Sequence, residues 1–142
     1  MQIVNQLQPT PAQGMAFFSA AENGPFVMVN LLKFRPRALH PDGKDAELTG
    51  YQAYQRYIVA VTGHIQAVGG TPGYAGPVTG LMLGEVEELW DMVALVEYPS
   101  LAALMAMVSN PAYQAIAVHR DAGLAGQLNI KTRGGLRGQA AP

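Results

Sequence analysis

Strand-like and helix-like hydrophobic patterns alternate along this chain, and the alternation occurs twice. Phe26 to Phe34 (Phe-Val-Met-Val-Asn-Leu-Leu-Lys-Phe) is an almost continuous apolar run of strand length. Tyr51, Tyr54, Ile58, Val61, Ile65 and Val68 then recur at spacings of three and four. That stripe predicts a helix from Tyr51 to Val68, stopped by Gly69-Gly70. The sequence repeats itself with a strand at Asp91–Tyr98 and helical sequence from Ser100 to Ala122. Ser100 is a suitable N-cap. Pro111 cannot continue the hydrogen-bond ladder, so Asn110 is expected to cap a second helical segment. Gln127–Thr132 reads as the last strand. The glycine-rich stretch Thr71–Gly84 is expected to hold a bulged or bent strand, best formed over Val78–Leu83, with a turn at Glu85–Leu89. Ahead of all this, Thr10 and Pro11 predict a short helix over Pro11–Ala21. Two strand–helix–strand halves of this length predict an α+β domain of ferredoxin-like βαββαβ topology, with the helices on one sheet face and an extra N-terminal helix.

The first and third strands are apolar at both odd and even positions. An alternating strand exposes one side; these need cover on both. Helices cover one face, and a second copy of the chain is expected to cover the other. Composition points the same way. Only 13% of the residues are charged, against about 25% in ordinary soluble domains. At 142 residues the chain is read as one domain over 1–132, with its core at 24–132 and a flexible tail at 133–142. The segment Arg35–Thr49 is polar, contains Pro36 and Pro41, and is long for a connector, which makes it a candidate lid or dimer arm.

Charge and residue inventory exclude several functions. A net charge of −1 gives no footprint for nucleic acid or an anionic membrane. No run approaches the ~20 apolar residues of a spanning helix, and the N-terminus lacks the pattern of a signal peptide, so a cytoplasmic protein is expected. The absence of cysteine removes disulfides, thiolate nucleophiles and cysteine-ligated metals. There is no His-x-x-x-His spacing, no phosphate-loop order and no Gly-x-Ser-x-Gly elbow, so neither a metal nor a cofactor is expected.

Gly24-Pro-Phe-Val-Met-Val-Asn-Leu-Leu-Lys-Phe34, Gly84-Glu85, Val93-Ala-Leu-Val-Glu-Tyr-Pro-Ser100 and Ser109-Asn-Pro-Ala-Tyr-Gln114 together resemble the domain-of-unknown-function family 1330. The likeness runs from about Gly24 to Thr132. It implies a dimeric α+β barrel, two ferredoxin-like sheets facing each other across a two-fold axis. It implies no established activity. The N-terminal helix and the long Arg35–Thr49 segment depart from a minimal family member.

Six residues are candidates for chemistry. Asn30 is a polar member of the first strand and, with Tyr54 and Tyr57 at the start of the long helix, is a candidate ligand-binding residue between sheet and helices. Asn30 and Lys33 lie on opposite faces and cannot share a pocket without a bulge. The tyrosines can donate to a ligand oxygen, or act as general acids if their pKa is lowered. His64, His119 and Glu97 are the catalytic candidates: the histidines because they titrate near neutrality, Glu97 because a carboxylate at an apolar strand end gains a raised pKa. Glu97 can alternatively pair with Lys33 or Arg120. These residues suit a homodimer that binds a small, partly apolar molecule between sheet and helices. The alternatives are a cofactor-independent monooxygenase or isomerase, by analogy of fold, and a structural or stress-associated dimer without a ligand.

Overall fold

The computed structural model describes residues 2–20 and 22–137. Its elements in chain order are α1 (Pro11–Phe18), β1 (Phe26–Phe34), α2 (Gly50–Ala67), β2 (Thr71–Pro77), β3 (Met92–Tyr98), α3 (Leu101–Ser109), α4 (Pro111–Gly123) and β4 (Leu124–Arg133). Local capping explains most boundaries. Thr10 and Gln13 form a capping box at α1, with Pro11 in the first helical turn. Thr49 and Gln52 form another at α2. Ser100 caps α3, and the Asn110 side chain accepts from the Ala112 backbone N–H at 2.8 Å to start α4. The α3–α4 pair bends by 83° at this break.

The four strands form one antiparallel sheet in the order β2-β3-β1-β4. This is the expected ferredoxin-like layout, but the sheet stays open. β2 and β4 remain its two edges, so no barrel is formed and the barrel implied by the family resemblance is corrected. Two strand boundaries also differ. β2 occupies Thr71–Pro77, while Val78–Leu83 is irregular and largely exposed. The glycines, unfavourable in a central strand, are accommodated at an edge, where pairing is one-sided and a register shift lies between Pro72 and Ala75. β4 starts at Leu124, directly after α4. The tail expected at 133–142 falls partly on 138–142, outside the described residues. Arg133 belongs to β4, and the Gly134 N–H donates to the Pro25 carbonyl at 2.9 Å.

Side-chain alternation divides the sheet. Phe26, Met28, Leu32 and Phe34 of β1 face the helices, with Met92, Ala94 and Val96 of β3 beside them. Tyr54, Tyr57, Val61 and Ile65 of α2 and Leu104 and Met107 of α3 close this core. The odd-numbered residues of β1 and β3 lie on the opposite face, which no helix covers among the described residues. There Val29, Leu31, Val93, Leu95 and Leu128 are half-buried and Ile130 is 46% exposed.

The Arg35–Thr49 segment packs on the helices as a clasp. Its backbone bonds to itself (Ala38 N–H to Leu48 O, 2.9 Å) and to α4 (Leu39 N–H to Ala122 O, 2.9 Å). Arg56 of α2 pairs with Asp45 at 2.8 Å. His40, in the middle, is 7% exposed. Among the described residues, no single helix is long and apolar enough to cross a membrane.

Candidate functional site

The C-terminal end of β1 opens a cleft of about 550 Å³ at the seam between sheet and α2. Lys33, Phe34, Arg35, Tyr51, Glu88 and Asp91 are among its walls. A register shift against β4 between Lys33 and Phe34 turns the strand end, which lets three consecutive residues line one space. Lys33 is neutralised there: its ammonium lies 2.9 Å from Glu88 and 3.2 Å from Asp91, and donates to the Leu89 carbonyl at 3.1 Å. The hydrogen bond to Glu88 is the largest influence raising its pKa, partly opposed by desolvation. Asp91 also accepts from the Phe34 backbone N–H at 2.8 Å, fixing the strand end. Arg35 differs from Lys33. Its Nε is buried and has no hydrogen-bond partner among the described residues. A buried unpaired donor carries a desolvation cost of about 1–3 kcal/mol.

The apolar wall of the cleft continues inward. Phe34 meets Tyr51 and Tyr54, each at 5.4 Å between ring centroids. Tyr54 meets Tyr57 at 5.3 Å, and Tyr57 meets Tyr113 of α4 at 6.2 Å with their hydroxyls 2.9 Å apart. His64 ends the row, its ring edge-on to Tyr113 at 6.2 Å. Burial raises the pKa of both Tyr54 and Tyr57. The lowered pKa that would make these phenols ready acids at neutral pH is therefore absent, because the low-dielectric layer disfavours the phenolate. They remain protonated donors.

Behind the aromatic row a polar chain crosses the same layer. Arg120 of α4 pairs with Asp121 at 2.7 Å and donates to the Gln127 side-chain oxygen at 2.7 Å. Gln127 donates to the Asn30 side-chain oxygen at 2.9 Å and to Asn129. Asn30 in turn donates to the Ala94 carbonyl at 3.0 Å. Asn30 thus lies in the expected layer, where protein partners use its amide.

The remaining candidates are spread apart. His119 meets His40, with Nδ1 and Nε2 3.0 Å apart and the His40 Nδ1 buried without a partner among the described residues. Burial, then the His40 ring and Arg56, lower the His119 pKa, with Asp45 opposing. Glu97 faces the helix-free side of the sheet. It joins neither of its expected partners, since Lys33 bonds Glu88 and Asp91 while Arg120 bonds Asp121 and Gln127. Alternation excludes Arg120, which approaches from the helix side, and register excludes Lys33: Glu97 pairs with Val27, six positions from Lys33 along β1. Sequence reading gave no role to Arg35, His40, Tyr113 and Gln127, and gave Arg120 only an alternative pairing with Glu97. The polar pair Gln127 and Asn129, two apart on one strand, was the available signal for the crossing chain. Among the described residues, no three His, Asp or Glu side chains are grouped to hold a metal ion.

This architecture has relatives. RPA0582, a protein of unknown function from Rhodopseudomonas palustris, shares 33% identity, with 91% of this chain and 96% of that chain covered and a TM-score of 0.80. The crystal structure of methylated RPA0582 superposes with a TM-score of 0.83 at 32% identity, covering 96% of this chain and all of that one. A NIPSNAP-like domain protein from Burkholderia xenovorans shares the fold alone, at 13% identity and a TM-score of 0.53 over 85% of this chain and 94% of that one. No curated protein matches. The profile of a domain of unknown function, DUF1330, matches residues 44–131, so β1 and its cleft residues lie ahead of the matched segment. By that match and the RPA0582 likeness, the chain belongs to the DUF1330 family.

Proposed function

We propose that this chain self-associates and binds a small molecule, apolar in body and anionic at one end, in the cleft at the end of β1. Arg35 carries the reading: it lines the cleft and forms no ion pair among the described residues, beside a lysine whose charge is already matched. Phe34 and Tyr51 offer the molecule's apolar body an aromatic wall, and a few convergent polar groups on an apolar surface are the usual composition of a small-molecule site. Tyr54, Tyr57 and Asn30 lie deeper and hold that wall and the adjacent strand in place.

Native mass spectrometry of the purified protein, followed by NMR titration with small aryl and alkyl carboxylates, tests this. The expected result is a bound mass, or shifts confined to the Phe34, Arg35 and Tyr51 amides, that disappear in Arg35→Leu. Shifts centred on Asn30 and Gln127 and unaffected by Arg35→Leu would move the site into the layer. No bound mass and no response to any carboxylate would overturn the binding reading.

A further inference from the structure

A long loop delivers a second carboxylate to the cleft. Two to five residues close most hairpins. β2 and β3 are instead joined by an excursion over residues 79–90, closed at its base where the Val78 N–H donates to the Asp91 carbonyl at 2.9 Å. Residues 79–85, its tip, are all exposed. The returning limb is held at its end: the Asp91 N–H donates to the Leu32 carbonyl at 2.7 Å, and the Trp90 indole N–H to the Asn5 side chain at 2.8 Å. Between tip and base, Glu88 reaches Lys33.

A lysine ammonium has three N–H donors. On Lys33 they are shared among the Leu89 carbonyl, Asp91 and Glu88. These contacts are not equal. The Leu89 carbonyl belongs to the held limb. Asp91 also accepts the Phe34 backbone N–H, so it cannot leave without freeing the strand end. Glu88 has Lys33 as its one ion-pair partner among the described residues, and its side chain is 74% exposed. A pair this exposed holds weakly, because water competes for both charges.

We infer that Glu88 stands where the anionic end of the ligand binds, and that an incoming carboxylate takes its place on Lys33 while Glu88 turns into water; this rests on the cleft reading proposed above. Charge supports an exchange over an addition. Lys33 and Arg35 bring two positive charges to the cleft walls, and Glu88 and Asp91 two negative ones. A ligand carboxylate added beside both acids leaves the site net negative. One that replaces Glu88 keeps it balanced. Selectivity follows from the tether. Lys33 meets Glu88 at an effective concentration on the order of millimolar, so a plain anion such as acetate displaces it only above that level. A carboxylate whose apolar body also lies against Phe34 and Tyr51 gains contacts that Glu88 lacks. Glu88 is then a specificity residue, which excludes plain anions and admits amphipathic ones.

NMR titrations with benzoate and with neutral benzyl alcohol, on wild type, Glu88→Gln and Glu87→Gln, test this. Glu87 is exposed and forms no ion pair among the described residues, so its variant makes the same change in net charge away from Lys33. Glu88→Gln is expected to bind benzoate about fivefold tighter than wild type, Glu87→Gln to match wild type, and benzyl alcohol to bind all three alike. A benzoate response in Glu88→Gln alone supports the exchange as well, with Glu88 the stronger competitor. Benzoate bound by wild type and no tighter by Glu88→Gln, or tightened equally by Glu87→Gln, overturns the exchange and leaves the cleft reading intact. An equal gain for benzyl alcohol in Glu88→Gln also overturns it, since Glu88 then blocks space and not charge. No response in either wild type or Glu88→Gln, to benzoate or to any longer carboxylate, overturns both.

Discussion

Gly50 and Gly123 meet where the N-terminus of α2 crosses the C-terminus of α4, against the backbone of Arg35. A Cβ on Gly50 would fall within clashing distance of the Arg35 and Gly123 carbonyls, and one on Gly123 would strike the Gly50 carbonyl. Gly50→Ala is therefore expected to destabilise by about 1–3 kcal/mol or more, read as a lowered denaturant midpoint. Gly63 lies in the same helix with nothing within 4 Å of its would-be Cβ. Gly63→Ala is expected to stabilise by about 0.5–1 kcal/mol. Equal effects of the two substitutions would contradict the crossing. The histidine pair gives a second residue-level expectation. His119 favours its neutral form when folded, so on acidification the unfolded chain takes up a proton first, near its model value of 6.5. The stability held by this group is complete above about pH 6.5 and is lost as pH falls from there through the depressed folded pKa. Melting temperatures measured from about pH 7.5 to about pH 5 should fall less steeply in His119→Gln than in wild type; parallel profiles would show that this pair does not clasp the 35–49 segment.

At the scale of elements, caps decide the boundaries more than hydrophobic runs do. Thr49 receives the Gln52 backbone N–H at 3.1 Å and gives its own N–H to the Gln52 side chain at 2.9 Å. Thr49→Ala is expected to cost about 1 kcal/mol, lowering the melting temperature by a few degrees. An unchanged melting temperature would mean that the clasp, not the cap, starts the helix. Much of this level was legible in the sequence. β1 occupies its apolar run from Phe26 to Phe34, and α2 follows its three-four stripe within one residue. The Asn110–Pro111 break was readable because proline lacks the needed N–H. β2 was misplaced because Val78–Leu83 looks like a strand by composition, yet those side chains point into water. The candidate site was less legible. Arg35 sits in what reads as a polar linker, and its importance depends on a register shift that no residue type announces. Gln127, which holds Arg120, meets Asn30 only after β4 pairs with β1, a contact spanning 97 positions.

For the whole molecule, the open sheet face and the exposed 79–85 tip are the features a lone copy leaves unsatisfied. If a second copy covers them, the dimer is stabilised by mass action, and the melting temperature should rise with protein concentration. A melting temperature independent of concentration over about a hundredfold range would contradict self-association.

The sheet order carries a consequence for synthesis. β1 is the inner strand next to both β3 and β4, yet it emerges first. Phe34 precedes Tyr98, the end of its nearer partner strand, by 64 positions. At translation rates of about 5–20 residues per second, Phe-Val-Met-Val-Asn-Leu-Leu-Lys-Phe waits unpaired for about 3–13 s. A nine-residue apolar segment with one charge is then a template for other nascent chains. Shielding of that one segment on the ribosome is therefore expected to raise the yield of folded protein, before any of its folded stability exists.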